Sequence, residues 1–141
     1  SADERINAIV NEAVKGGLFT RIDFDYNNMQ YLRSANVLLL CSRHEGMPTV
    51  ILEAMANNVI PISTNLSVID ELNRMGANIY TYAPGDIRSL IASINKIEGL
   101  TSIKKNGILN NNYEFVSKYF EQDMIADAQY QYFRELYLDY G

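Results

Sequence analysis

Val37-Leu38-Leu39-Leu40-Cys41, followed at once by Ser42-Arg43-His44-Glu45-Gly46-Met47-Pro48-Thr49-Val50-Ile51-Leu52-Glu53-Ala54-Met55-Ala56, decides how the rest of the chain is read. The apolar run lacks alternation, which suits a strand covered on both faces, as in a parallel sheet. Pro48 has a fixed φ and no N–H, which suits a first helical position, and the residues from Thr49 to Ala56 continue as helix until Asn57-Asn58 ends it. Strand, polar loop and helix therefore follow in order. In open α/β sheets ligands collect at that junction, because a helix N-terminus offers unpaired amides and partial positive charge to an anion.

Working outward, the same alternation recurs. Ile6, Ile9, Val10, Ala13 and Val14 fall at helical spacing between Glu4 and Lys15, and Gly16-Gly17 supplies the stop. Leu18 to Phe24 reads as a strand, Asp25 to Asn28 as a turn, and Met29 to Ala35 as a short helix. Beyond the opening stretch come a strand at Val59 to Ser63, a helix around Val68 to Met75 and a strand at Asn78 to Tyr82. Pro61 cannot donate a ladder hydrogen bond, so the strand that holds it is expected to be short. After the turn Ala83-Pro84-Gly85, Asp86 caps a helix with Ile87, Leu90, Ile91, Ile94 and Ile97 on one stripe. Thr101 caps the next, with Ile108, Leu109, Val116 and Phe120 inward, and a last helix spans Glu121 to Leu138.

This order predicts an α/β fold, a Rossmann-like parallel sheet of about four strands with helices on both faces. A complete doubly wound nucleotide-binding domain has about six strands, so the chain is expected to be the later part of one, a single domain over 1–141.

The composition narrows the partners. A net charge of −5 and no basic cluster beyond Lys104-Lys105 argue against nucleic acid or an anionic membrane. The single cysteine, Cys41, cannot form an internal disulfide and is expected to be a small buried hydrophobe. No apolar run reaches the roughly 18 residues of a membrane span, and the N-terminus has no secretory pattern. A soluble, cytoplasmic protein is the expectation, with the inner face of the membrane as an alternative place for a longer form.

Glu45 stands in the loop before the helix and Glu53 about one turn inside it. Alone, the first reads as a solvated acid and the second as an acid favoured by the helix dipole. Together, with Gly46 allowing close approach of backbone and the amides of Met47, Thr49 and Val50 free of helical partners, they suit a phosphate with a polyol attached. The amides serve the anion and the carboxylates the hydroxyls. His44, the sole histidine, has no orienting partner nearby in sequence, and the motif is complete without it. Asp23 and Asp25 form an Asp-x-Asp pair that reads as a solvated turn, and no metal is expected.

Ser42 to Ala56 resembles the signature of the family 4 retaining glycosyltransferases of the GT-B fold, in which two glutamates flank seven residues and Ala-Met-Ala follows. Tyr31 to Val37, Ile60-Pro61-Ile62, Glu71-Leu72, Tyr82 to Asp86 and Phe120 to Tyr137 extend the likeness along nearly the whole chain. The resemblance implies that Glu45 acts at the donor sugar near the reacting carbon and is the catalytic residue. It gives Gly46, Met47, Thr49, Val50 and Glu53 to donor binding, with Glu53 at the ribose hydroxyls. The implied reaction is retaining transfer of a hexose from a nucleotide diphosphate sugar to an acceptor hydroxyl, in glycoconjugate biosynthesis, with no cofactor.

Three departures stand out. The Arg and Lys that hold the diphosphate in this family, and the N-terminal acceptor domain, lie outside this chain, which is therefore expected to bind donor without turnover. Asn58 replaces a usual glycine, and Asn65-Leu66-Ser67 a glycine-rich loop. Two other classes fit the residues without the resemblance's chemistry: a non-catalytic α/β binding or signalling module, and a GT-B epimerase or phosphorylase. Tyr130, Tyr132, Tyr137 and Tyr140 crowd the last helix, where core packing is the default and a homodimer through exposed rings the alternative.

Overall fold

The computed structural model describes residues 2–22 and 29–120. They fall into two compact units, divided between Gln30 and Tyr31. In the first, α1 (Ala2–Lys15) ends as its glycines predict: Gly17 takes φ 70 and Leu18 N donates to Ala13 O at 3.0 Å. Residues 18–22 form no strand. The expected strand at Leu18–Phe24 is corrected to that extent, because residues 18–22 pair with no strand among the described residues and alternation alone does not make one. Asp23 to Asn28, with the Asp-x-Asp pair, and the expected last helix with its four tyrosines lie outside the described residues.

The second unit contains α2 from Tyr31 onward (Met29–Ser34), β1 (Val37–Leu40), α3 (Thr49–Ala56), β2 (Ile60–Thr64), α4 (Ser67–Arg74), β3 (Tyr80–Tyr82), α5 (Ile87–Glu98) and α6 (Ser102–Tyr119). The three strands make a parallel sheet in the order β1-β2-β3, with Leu39 beside Ile62 and Ile62 beside Tyr80. On one face Ile51, Leu52 and Met55 of α3, Ile69 and Leu72 of α4, and Phe115 and Val116 of α6 cluster with Leu38, Leu40 and Ile79. On the other, Ile97 and Leu90 of α5 and Ile108 and Leu109 of α6 pack with Ile60, Ile62, Tyr80 and Tyr82. Each fully buried aliphatic chain in these clusters contributes about 1.5–3 kcal/mol of transfer free energy.

Pro61 stands in the central, wholly buried strand after all. Ile60 N donates to Asn36 O on the β1 side at 3.1 Å, so strand alternation turns the nitrogen of Pro61 toward β3. There the β2–β3 pairing begins only at Ile62 and Tyr80, and the missing N–H falls ahead of the ladder.

β1 departs from expectation. Leu38 and Leu40 are half-buried against α3, whereas Val37 and Leu39 are exposed on the opposite face. On that face α5 packs on β3, at the far edge of the sheet. The stripe expected on α5 is likewise narrower than the sequence suggests. Ser93 and Ile97 are buried, while Ile87, Ile91 and Ile94 face outward. Helical geometry turns those three away by roughly a quarter of a circle from the Leu90–Ser93–Ile97 line.

The caps behave as their residue types dictate. Asp86 accepts from the amides of Arg88 at 3.0 Å and Ser89 at 3.1 Å, after a turn in which Gly85 has φ 79 and Asp86 N closes on Ala83 O. Thr101 caps α6. Asn58 takes φ 58, and Val59 N reaches back to Ala54 O at 2.9 Å, so the asparagine ends α3 in the left-handed conformation usually given to glycine.

Candidate functional site

The stretch from Ser42 to Ala56 lies at the carboxyl edge of the sheet. β1 stops at Leu40, the loop from Cys41 to Met47 crosses the strand ends, and α3 begins at Thr49. Pro48 sits one position earlier than expected, as the residue that caps the helix, with φ −77 and ψ 85. Its carbonyl accepts from Ile51 N at 2.9 Å, but its side chain has nothing to offer the free amides. Among the described residues the amides of Met47, Thr49 and Val50 find no partner, the ordinary condition of a first helical turn.

Arg43, His44, Glu45, Gly46, Met47 and Thr49 are exposed, Pro48 is buried and Val50 half-buried. Glu53 is half-buried in the second turn of α3. Its backbone carbonyl accepts from the Asn57 side chain at 2.9 Å, which ties the end of the helix to the middle. Neither Glu45 nor Glu53 forms an ion pair or a side-chain hydrogen bond with a described residue, so both carboxylates are unengaged. A Cβ built on Gly46 meets nothing within 4 Å, so the fold itself does not require glycine there.

Next to this surface the strand ends enclose a concavity of about 270 Å³, lined by Cys41, Arg43, Thr64, Tyr82, Pro84, Gly85, Asp86, Ile87 and Leu90. None of the predicted donor-site residues lines it. Glu45, Gly46, Met47 and Thr49 are exposed beside it, and Val50 and Glu53 are half-buried on α3, so Glu45 and Glu53 share one strand–helix junction without lining the concavity. Cys41 is exposed in the concavity rather than buried, because β1 has ended one residue earlier and its side chain leaves the sheet.

Two groups that sequence reasoning passed over meet the root of the loop. Thr64, the last residue of β2, donates from Oγ1 to Ser42 O at 2.5 Å. Tyr82, the last of β3, lines the concavity together with Cys41. Burial first, then the neighbouring Cys41 thiol, pushes the Tyr82 phenol from 10.0 up to about 12. The available signal was positional: both are polar residues closing apolar strands at the edge where ligands bind. Among the described residues no cluster of His, Cys, Asp and Glu could hold a metal ion. Nor is any helix among them long and apolar enough to cross a membrane.

Comparison with known proteins follows the same line. The profile of the family described as Glycosyl transferases group 1 matches residues 17–114. Among solved structures, sucrose-phosphate synthase from Thermosynechococcus elongatus is similar at a TM-score of 0.75 and 24% identity, over 96% of this chain and 34% of that one. The C-terminal domain of a glycosyl transferase group 1 family protein from Francisella tularensis is similar at a TM-score of 0.67 and 20% identity, over 84% of this chain and 64% of that one. At these identities the two structures speak for the fold. The chain spans about a third of the first and less than two thirds of the second. No curated protein matches.

Proposed function

The chain belongs to the group 1 glycosyl transferases, and from that premise we propose that Ser42 to Ala56 seats the nucleotide diphosphate sugar of a hexosyltransferase. The protein transfers the hexose to an acceptor hydroxyl with retention, in polysaccharide, lipopolysaccharide or other glycoconjugate biosynthesis. The observation that carries this reading is the junction itself: open amides at the start of α3 between the unengaged carboxylates of Glu45 and Glu53.

The chemistry fits the parts. A departing diphosphate gains charge, and the oriented amides of Met47, Thr49 and Val50 meet that charge without reorganising. The sugar becomes oxocarbenium-like as the bond breaks, and Glu45 supplies a negative group close to it. Gly46 leaves room for the sugar to approach the backbone. Glu53, deeper along α3, accepts from the ribose hydroxyls, a charge-assisted contact that fixes the nucleoside. The acceptor is held by an N-terminal domain of the full-length protein in this proposal. No cofactor or metal enters this proposal.

The test is titration of the full-length protein with a panel of nucleotides and nucleotide diphosphate sugars. At least one is expected to bind, and Glu53→Ala to weaken it by roughly ten- to a hundredfold, the loss of a hydrogen bond to a charged group. Glu45→Gln is expected to lower the transfer rate more than the affinity. Absence of binding by every member of the panel overturns the donor-site reading.

A further inference from the structure

We propose that Thr64 is a positioning residue for the donor loop, fixing through its buried hydroxyl the point at which Ser42 to Pro48 leaves the sheet. The inference rests on the donor-site reading above and deepens it.

The β1–β2 ladder runs from the Val37–Ile60 rung to the Leu40–Ser63 rung. Thr64 stands one residue past the last rung. It is 2% exposed, and its Oγ1 donates at 2.5 Å to the carbonyl of Ser42, 22 residues away in sequence. The side chain thus makes a further cross-strand tie where the backbone pairing has ended. Ser42 precedes Glu45 by three positions and Met47 by five. A shift at this root is carried directly to the carboxylate and to the first amides of α3.

Tyr82, the last residue of β3, lines the same concavity as Cys41, the residue before Ser42. The two strands that follow β1 therefore each end beside the start of the loop. Cys41 and Thr64 also line the concavity, so the tie lies beside the seat rather than deep in the core. Packing alone would be served by valine, which has the shape of threonine without its donor. What the hydroxyl adds is direction for the loop. Misplacement of a reacting group by about 1 Å costs on the order of a hundredfold in rate.

Two variants of the full-length protein test this. Thr64→Val keeps the shape and removes the donor; Thr64→Ser keeps the donor. The expected result is a fall in kcat of roughly tenfold or more for Thr64→Val, with the donor KM within about threefold, and recovery to within about threefold of wild type in Thr64→Ser. Amide exchange over residues 42–48 is expected to quicken in the valine variant and to stay at the wild-type rate in the serine variant. If Thr64→Val melts earlier but its folded molecules keep the wild-type kcat and loop exchange, the hydroxyl is only a satisfied core group and the proposal is overturned. If the wild-type protein binds no nucleotide sugar, the donor-site reading falls and takes the positioning role with it. The exchange data then show separately whether the tie holds the loop.

Discussion

Asn112, fully buried on α6, holds both backbone polar groups of Asn78. Its Oδ1 accepts from Asn78 N at 2.8 Å and its Nδ2 donates to Asn78 O at 3.0 Å. Asn73 does the same for Ile79, at 2.9 Å in each direction. The segment that leads into β3 is thus hydrogen-bonded by side chains where no strand flanks it. Asn112→Leu preserves bulk and removes both bonds, leaving the Asn78 groups to partial hydration. A loss of about 1–3 kcal/mol in unfolding free energy is expected, read by urea denaturation with an unchanged m-value.

Ser63 presents the opposite case. It is fully buried in β2, and its Oγ finds no hydrogen-bond partner among the described residues. Ser63→Ala removes that orphaned group with little change in volume. Stability is expected to rise by about 1 kcal/mol, which a thermal melt would show as an upward shift of a few degrees. A lower melting temperature would count against the orphaned hydroxyl as a cost.

Gly46 separates the fold from the site. Since a Cβ there meets no atom within 4 Å, Gly46→Ala is expected to leave the melting temperature within about a degree of wild type. If a donor approaches that backbone closely, the same methyl weakens nucleotide-sugar affinity by roughly tenfold. Equal affinity in the two proteins would place the sugar elsewhere.

Tyr82 supplies a pH signature. Its phenol titrates near 10.0 when unfolded and at about 12 when folded. Below the lower value both states hold the proton, and the stability is fully present. As the pH rises through the interval, the unfolded chain loses its proton first, and stability falls until the folded protein also ionises. Wild type minus Tyr82→Phe, compared by denaturation at a series of alkaline pH values, should isolate this loss between about pH 10 and 12. A flat difference would mean that the hydroxyl is not buried against Cys41.

Much of the fold was legible because strands and helices alternate with strong punctuation. Asp86 and Thr101 capped their helices where their side chains could, and Asn58 stopped α3 by adopting a conformation asparagine tolerates. What escaped was relational. Val37 and Leu39 are as apolar as a core strand, yet they are exposed, while α5 on the same face packs on β3 at the other edge of the sheet. Pro61 was read as a defect, and only the start of β3 showed that its missing N–H faces no established rung. At the site, Glu45, Gly46 and Glu53 stood out through spacing, because a helix N-terminus gives spacing a meaning. Thr64 and Tyr82 are single polar residues whose partners lie far away in sequence, and nothing local marks them.

β1 carries the loop, and among the described residues it is paired on one side only, with β2. Of the two strands that border the described sheet it is the one whose release would dismantle the proposed seat. Partial opening of the sheet and loss of the proposed donor site are then expected to be a single event, at a free energy below that of global unfolding. A donor held on the loop would oppose the event by mass action. Slower solvent exchange at Val37 to Leu40, four residues that touch no donor in this reading, would report occupancy of the site from inside the sheet.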